Sequence, residues 1–316
     1  MSGLIEAGAA RPERTIRHAI GCVGVGLHSG ARVALTLHPA EAGSGIRFRR
    51  ADRPGTPMLP ARHDLVVGTT LCTTLGISNG PRVQTVEHLM AAFAACEIDN
   101  VLVELSGPEV PAMDGSAQPF VFLIECAGIV EQERPRRLIE VLKPVAAAAE
   151  GAWARLEPAP ALALECRIEF AHPLIGSQTA ALVFTGETFK SGCAAARTFG
   201  FADAVEDLRA RGFARGGSLK NTVVLDDGRV LNAEGLRFKD EFARHKLLDA
   251  VGDLYLAGAP LIGHYVGHCA GHALNNRLLH NLFADPAAWR PRHEGEGEAA
   301  ERAVPAAERS HALAGG

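Results

Sequence analysis

The segment RFKDEFARHKLLDAVGDLYLAG, residues 237–258, constrains the fold more than any other part of the chain. One apolar stripe at helical spacing is formed by Ala243, Leu247, Ala250, Val251 and Leu254. His245, Asp249 and Asp253 follow at intervals of four residues, so they stack along the opposite face of the predicted helix. That opposite face also carries the apolar or small residues Phe242, Gly252 and Leu256. We therefore expect a helix that is buried on both faces, with three ionisable side chains inside the protein.

These three ionisable side chains need a partner, because an unpaired charge in a protein core is very unfavourable. A divalent cation is one such partner. His245 and Asp249 lie one turn apart and can both reach one ion, and imidazole with carboxylate is a ligand set typical of zinc. A solvated charged face and a structural His–Asp pair are the alternatives, and this helix alone does not choose between them.

A second segment, QTVEHLMAAF, offers a third ligand for such an ion. Its apolar spacing predicts a helix, with Thr85 placed as the N-cap. Glu87 and His88 are adjacent in the first turn and point about 100° apart. If His88 binds the ion, Glu87 can reach a water on that ion, which is the position of a general base. The alternative is a glutamate that favours the helix dipole beside a core histidine.

A third segment, GHYVGHCAGHALNN, contains three histidines at intervals of four residues, but its glycines disfavour one regular helix. We predict a strand through Cys269, a turn at Gly271 and then a helix. This places His272 at a strand-to-helix junction, where functional groups are common. His264 and His268 are expected to face the exterior or a loop.

Strands and helices are predicted twice over, which indicates two α+β domains. In the first half we expect strands at 31–37, 45–49 and 101–105 and helices at 86–94 and 119–127. In the second half we expect strands near 138–146, 152–157, 162–170 and 180–185, followed by helices. The polar stretch EQERPRR at 131–137 is the predicted linker. The domains are accordingly placed at 1–133 and 138–289, and residues 290–316 are expected to form a disordered tail.

Composition excludes several classes of protein. The 32 basic and 36 acidic residues give a formal net charge of −4, which offers no electrostatic argument for nucleic-acid binding. The 7 cysteines are scattered and include no CxxC pair, which disfavours a thiolate zinc site and fits a reducing compartment. The N-terminus lacks a signal-peptide core, and no apolar window of about 18 residues predicts a transmembrane helix. We expect a cytoplasmic protein that acts as a monomer.

Short motifs along nearly the whole chain resemble those of the UDP-3-O-acyl-N-acetylglucosamine deacetylases of bacterial lipid A synthesis. They are GVGLHSG (24–30), TLCTTL (70–75), TVEHLMAA (85–92), PAMDGSAQPF (111–120), ARTFGF (196–201), VLNAEGLRFKDEFARHKLLDAVGDL (230–254) and GHALNN (271–276). The co-occurrence of TVEHL, DEFxRHKxLDxxGDL and GHALNN in this order is very specific, whereas no single short motif would be.

The resemblance implies a metal site and a general base. His88, His245 and Asp249 would be the metal ligands, and the metal would be zinc or, in the cell, ferrous iron. Glu87 would be the general base that activates a water molecule. His272 would stabilise the oxyanion and act as an acid.

The resemblance also assigns residues around that centre. Asp253 would orient the catalytic histidine, and Thr198 would lie beside the bound water and the reacting carbonyl. Lys246 would belong to the catalytic group and would also contact the substrate head group. Phe199 and Phe201 would lie at the sugar and uracil side of the substrate.

The fold implied by the resemblance is α+β, with two similar domains, each a β-sheet packed on helices, and the active site between them. An insertion in the second domain, here about 202–228, would form a hydrophobic passage for the acyl chain. The implied activity is hydrolysis of the acetamide of UDP-3-O-acyl-N-acetylglucosamine, the committed step of lipid A synthesis. Two other readings remain. A different metal-dependent amidohydrolase or sugar deacetylase would need no lipid passage. A non-catalytic metal- or lipid-binding protein would need neither Glu87 nor the His272–Asp253 pair.

Overall fold

The computed structural model describes residues 11–293 of the chain. They form a mixed α+β fold, as the sequence predicted. Within this range no helix combines the length and the apolar character needed to cross a membrane. Most of the predicted disordered tail, residues 294–316, lies outside the described residues. Its first four residues, 290–293, belong to a strand, so the ordered second half extends past the predicted boundary at 289.

The first half contains a central helix, flanked by strands and a second helix. Its strands are β1 (Pro12–Ile16), β2 (Ile20–Val25), β3 (Arg32–Pro39), β4 (Ile46–Arg50), β5 (Leu59–Pro60), β6 (Val66–Gly68), β7 (Thr74–Gly76), β8 (Arg82–Val83), β9 (Val101–Leu105) and β10 (Ile129–Pro135). Its helices are α1 (Glu87–Ala95) and α2 (Gln118–Ala127), and a 3-10 turn spans His63–Leu65.

The second half contains the longer helices. Its strands are β11 (Arg137–Val141), β12 (Val145–Ala149), β13 (Ala152–Glu157), β14 (Ala163–Glu169), β15 (Ser177–Val183), β16 (Phe199–Phe201), β17 (Val223–Asp226), β18 (Arg229–Val230), β19 (Leu261–Ile262), β20 (His264–His268) and β21 (Trp289–His293). Its helices are α3 (Gly186–Gly192), α4 (Val205–Ala210), α5 (Glu241–Tyr255) and α6 (His272–Ala284).

Each half is built on a five-stranded sheet, and the two sheets have the same topology. The first has the order β2-β3-β9-β4-β5 and the second the order β12-β13-β20-β14-β15. In each sheet the central strand is the one that comes last in the chain, β9 in the first and β20 in the second. The central strand is parallel to one neighbour (β4 or β14) and antiparallel to the other (β3 or β13). This repetition supports the expectation of two similar domains, although the sequence shows no visible repeat. The domain boundaries themselves remain a prediction.

The two halves meet where α1 packs against α5. Every residue of α1 is buried, and so is every residue of α5 except Arg244 and Lys246. The prediction that α5 is covered on both faces is therefore confirmed. Gly252 permits the close approach, since a Cβ at this position would overlap the backbone carbonyl of Glu87. The core thus brings the start of α1 against the ionisable face of α5.

Most of the predicted linker at 131–137 is a strand and not a connecting loop. Residues up to Pro135 belong to β10, which pairs antiparallel with β1. The two strands β1 and β10 form a ribbon that is exposed on one side, which accounts for its many charged residues. Some of these residues form ion pairs, such as Arg14 with Glu131. The single strand predicted at 138–146 is wrong, because the structure has two strands there, β11 and β12. The break lies around Pro144, which has no backbone N–H to donate to a sheet.

The predicted N-cap role of Thr85 is also wrong. Thr85 has a left-handed backbone (φ 58°), and Val86 caps α1 without a side-chain hydrogen bond. The hydroxyl of Thr85 instead donates to Glu109 at 2.8 Å. Glu109 is fully buried and also accepts two backbone N–H groups at 28–29, so this carboxylate attracts the hydroxyl that would otherwise cap the helix.

Candidate active site

Three buried side chains from α1 and α5 converge where the two helices meet. The Nε2 atoms of His88 and His245 each lie 3.4 Å from Oδ1 of Asp249. One ligand atom from each of the three lies within 4.8 Å of the others. The ligand set proposed from the sequence is therefore brought together in space, with His245 and Asp249 one turn apart and His88 supplied by the first turn of α1.

The chemistry of this cluster fits a divalent cation. Nδ1 of His245 is hydrogen-bonded to the carbonyl oxygen of Ala196 at 3.1 Å, which leaves its Nε2 facing the cluster. Burial lowers the pKa of His245 to about 4, so its imidazole is neutral and able to bind a metal. Oδ1 of Asp249 is buried and finds no hydrogen-bond partner among residues 11–293. A cation between these donors would satisfy that oxygen.

Asp249 is ionised in this environment. Burial opposes its ionisation, but His245 and Lys246 outweigh burial and hold the pKa of the Asp249 carboxyl well below its usual range. Nζ of Lys246 donates to Oδ2 of Asp249 at 2.8 Å. Burial lowers the pKa of Lys246, yet this carboxylate raises it overall. Lys246 therefore contacts a candidate ligand, and its contact with a substrate remains a prediction.

Glu87 lies beside the cluster, at the start of α1. Its Oε2 accepts the backbone N–H of Thr73 at 3.0 Å, and its Oε1 lies 4.0 Å from Nε2 of His272. Burial raises the pKa of Glu87, while His272 and His88 oppose that rise. A buried carboxylate with a raised pKa, one oxygen of which has no hydrogen bond to residues 11–293, has the properties of a general base.

His272 begins α6, directly after the loop that follows β20, so the predicted strand-to-helix junction is confirmed. Its Nδ1 is hydrogen-bonded to Oδ2 of Asp253 at 2.9 Å. Burial alone would lower the pKa of His272, but Asp253 and Glu87 raise it to about 9. The imidazole is therefore a cation at neutral pH. The other two histidines of this segment lie on β20, partly exposed.

The segment with Thr198, Phe199 and Phe201 lies next to the cluster. Thr198 is two residues beyond the carbonyl that binds His245, and its backbone N–H donates to Gly115 O at 2.8 Å. The ring centroids of Phe199 and His245 are 6.4 Å apart. Phe201 lies farther along β16, 6.0 Å from the ring of Phe170. Among residues 11–293, neither Thr198 nor Phe201 forms a hydrogen bond or ring contact with the three cluster residues, so their roles remain predictions.

The insertion at 202–228 packs against the first half of the chain. The backbone N–H of Arg215 donates to the carbonyl of His28 at 3.2 Å, and the ring of Phe213 meets the His28 ring edge-on at 5.4 Å. His28 is buried, and its Nε2 has no hydrogen-bond partner among residues 11–293. Burial lowers its pKa, and the charges of His272 and His88 add to that effect. Sequence reasoning gave His28 no role, yet it lies near the candidate site.

Sequence reasoning also missed the side chains that hold Asp253. Its Oδ1 accepts the hydroxyl of Thr73 at 2.6 Å, and its Oδ2 accepts the amide of Asn275 at 2.9 Å. Asn275 in turn accepts the hydroxyl of Tyr265 at 2.6 Å. Thr73 and Asn275 both lie in motifs that carried the resemblance, TLCTTL and GHALNN, and that membership was the available signal.

Comparisons with known proteins show the family to which the chain belongs. The family model described as "LpxC: UDP-3-O-acyl N-acetylglycosamine deacetylase" matches residues 13–284. A UDP-3-O-acyl-N-acetylglucosamine deacetylase from Chromobacterium violaceum is 49% identical over 279 residues, which cover 88% of this chain and 92% of the relative. Proteins of the same name from Nitrosococcus oceani and Myxococcus xanthus are each 50% identical, over 88% of this chain and over 91% and 88% of their own lengths. The chain therefore belongs to the family of UDP-3-O-acyl-N-acetylglucosamine deacetylases.

Proposed function

We propose that this protein hydrolyses the acetamide of UDP-3-O-acyl-N-acetylglucosamine to give UDP-3-O-acyl-glucosamine and acetate, the committed step of lipid A synthesis. The observation that carries the proposal is the position of Glu87 and the His272–Asp253 pair beside a His/His/Asp cluster. A site that only bound a metal would need neither a buried carboxylate nor a charged imidazole next to the ion. The names of the relatives support the substrate.

In this proposal His88, His245 and Asp249 hold one zinc ion, with ferrous iron as the alternative in the cell. Two imidazoles and one carboxylate are a ligand set that suits a catalytic zinc site with an open position. When bound, the metal would lower the pKa of a water molecule and polarise the acetamide carbonyl. The neutral state of His245 and the ionised state of Asp249 prepare both groups for this role.

Glu87 takes the proton from the attacking water. The N–H of Thr73 holds its Oε2, so Oε1 is the oxygen that is available for proton transfer. The raised pKa of Glu87 brings its basicity closer to the value at which a general base works well near neutral pH. As the water oxygen bonds to the acetyl carbon, the carbonyl oxygen gains negative charge.

His272 stabilises that negative charge as a cation, with its Nδ1 proton held by Asp253. Thr198 is the proposed second donor to the same oxygen. The carbon–nitrogen bond then breaks, and the amine leaves with a proton from His272 or from protonated Glu87. Acetate and the free amine are the products.

The remaining assignments concern the substrate. Lys246 would contact the head group, and Phe199 and Phe201 would line the sugar and uracil side. The insertion at 202–228 would hold the acyl chain, with apolar side chains such as Leu219, which is 48% exposed. We further propose that the enzyme works as a monomer in the cytoplasm, where its unpaired cysteines would stay reduced.

Acetate release from two substrates tests the proposal. The acylated UDP-sugar should be deacetylated with a much higher kcat/KM than UDP-N-acetylglucosamine, which lacks the acyl chain. Glu87→Gln serves as the matched control, because it keeps the size of the side chain and removes the base. Equal kcat/KM for both substrates would favour another sugar deacetylase, and no acetate from either would contradict the proposal.

A further inference from the structure

Thr73 contacts both carboxylates that flank His272. It lies directly before β7 and is 1% exposed. Its backbone N–H donates to Oε2 of Glu87 at 3.0 Å, and its hydroxyl donates to Oδ1 of Asp253 at 2.6 Å. Its carbonyl accepts the N–H of Val86 at 3.3 Å, which fixes Thr73 to the start of α1. One residue of the first half therefore connects a carboxylate of α1 to a carboxylate of α5.

The donors around Asp253 come from two directions. His272 and Asn275, both on α6, donate to Oδ2. Thr73 donates to Oδ1, and no other residue among 11–293 donates a hydrogen bond to that oxygen. Without this hydroxyl, Oδ1 would be a buried carboxylate oxygen with no donor, and the carboxylate could rotate about its terminal bond. Oδ2, which accepts the Nδ1 proton of His272, would then be held only by donors of α6 and no longer fixed from the first half of the chain.

Glu87 and His272 must act on the same acetyl group, so their relative position matters. Oε1 of Glu87 and Nε2 of His272 are 4.0 Å apart. Small displacements of groups that act together on one reacting centre lower the rate strongly. Thr73 fixes the first group directly and the second through Asp253, both from one short stretch of backbone.

We infer that Thr73 is a positioning residue for the deacetylation, an inference that rests on the proposed function. It sets the distance and orientation between the general base and the His272–Asp253 pair. Because its hydrogen bonds go to Glu87, Asp253 and Val86 and not to the candidate ligands, its loss should lower kcat and leave KM and metal content nearly unchanged.

The test compares three variants. Thr73→Val keeps the β-branched shape and removes the hydroxyl, so kcat should fall by about 10–100-fold, as expected for the loss of a hydrogen bond to a charged group. Thr73→Ser keeps the donor and should restore most of that kcat. Thr74→Val is the matched control, since it removes a neighbouring hydroxyl that lies 3.8 Å from Cys72 Sγ. Metal content and melting temperature of each variant verify that it is folded.

A double variant separates positioning from a merely structural effect. In a His272→Gln background the Thr73→Val substitution should lower kcat by a much smaller factor, because the group on which Thr73 acts is already gone. An equal fold-loss of kcat in both backgrounds, or a wild-type kcat in Thr73→Val, would overturn the inference. If Thr73→Val does not fold, Thr73→Ser decides: near-normal kcat supports the inference, and a kcat as low as that of His272→Gln contradicts it. A wild-type protein that releases no acetate would instead contradict the proposed function.

Discussion

Replacement of Asp253 by asparagine should move the alkaline limit of activity. Asp253 is the strongest of the influences that raise the pKa of His272 to about 9, and they act against burial, which lowers it. Burial is the largest single influence, so without this carboxylate the pKa of His272 should fall toward its ordinary value of 6.5. A fall from about 9 to 6.5 would lower the protonated fraction of His272 at pH 8 by about 30-fold and change it little at pH 6.

The assay is kcat/KM for acetate release between pH 5.5 and 10. The ratio of activities at pH 8 and pH 6 is the useful quantity, because damage to orientation lowers both values alike. The alkaline limb should lie near 9 in the wild type, move down toward 6.5 in Asp253→Asn, and be lost in His272→Gln. Asp64→Asn is the control, because it removes the same charge from an exposed carboxylate that is paired with Arg62. An unchanged alkaline limb in Asp253→Asn would refute the reasoning and make Lys246 the better candidate for the working cation.

The raised pKa of His272 also predicts how the free energy of unfolding depends on pH. The pKa of His272 is higher in the folded protein than the 6.5 of the free side chain, so protonation of His272 stabilises the fold. This contribution is complete below about pH 6.5 and is lost as the pH rises through about 9, and the rise in pKa corresponds to about 3 kcal/mol. Unfolding of metal-free protein in denaturant should show this loss in the wild type and little of it in His272→Gln. A wild-type free energy of unfolding that is flat between pH 6.5 and 9 would contradict it.

Three further predictions concern the base, the acyl chain and the packing of the helices. Glu87→Gln should keep its metal, measured by elemental analysis, and lose about 10²–10⁴-fold in kcat because the general base is gone; near-normal turnover would mean that another group activates the water. Each methylene removed from the 3-O-acyl chain should raise KM by about fourfold, since burial of a methylene contributes about 0.8 kcal/mol; a KM independent of chain length would remove the passage at 202–228 from the account. Gly252→Ala should lower the melting temperature and kcat together, because the new methyl group overlaps the backbone of Glu87; a variant with wild-type values of both would show that α1 and α5 can separate without effect.

The sequence predicted the ionisable face of α5 well because two periodic signals coincide there. An apolar stripe and a row of His245, Asp249 and Asp253 can be read from spacing alone, and the apolar residues between them indicate burial on both faces. His272 was predicted at a strand-to-helix junction because glycines interrupt the periodicity just before it. The ligand role of His88 needed the resemblance, since a histidine in a buried helix has no distinctive spacing.

Other features could not be read from the sequence because their causes are distant in the chain. Thr73 donates to Asp253, a partner 180 residues away, and no local pattern marks either end of that bond. Thr85 has the sequence position of an N-cap, but its hydroxyl donates a hydrogen bond to Glu109, 24 residues away. The two sheets share a topology that is set by backbone pairing, so the repetition leaves no trace that can be seen in the side chains. The polar stretch in β10 resembled a linker because an exposed ribbon and a loop have similar composition.

The most direct test of the central claim is a metal titration of chelated protein with turnover measured at each point. If His88, His245 and Asp249 form one catalytic site, acetate release from UDP-3-O-acyl-N-acetylglucosamine should rise in proportion to added zinc or ferrous iron and level off at one equivalent per chain. Asp249→Ala, measured in parallel, should neither retain the metal nor recover activity. Full turnover by the metal-free protein, or full metal content and activity in Asp249→Ala, would contradict the account.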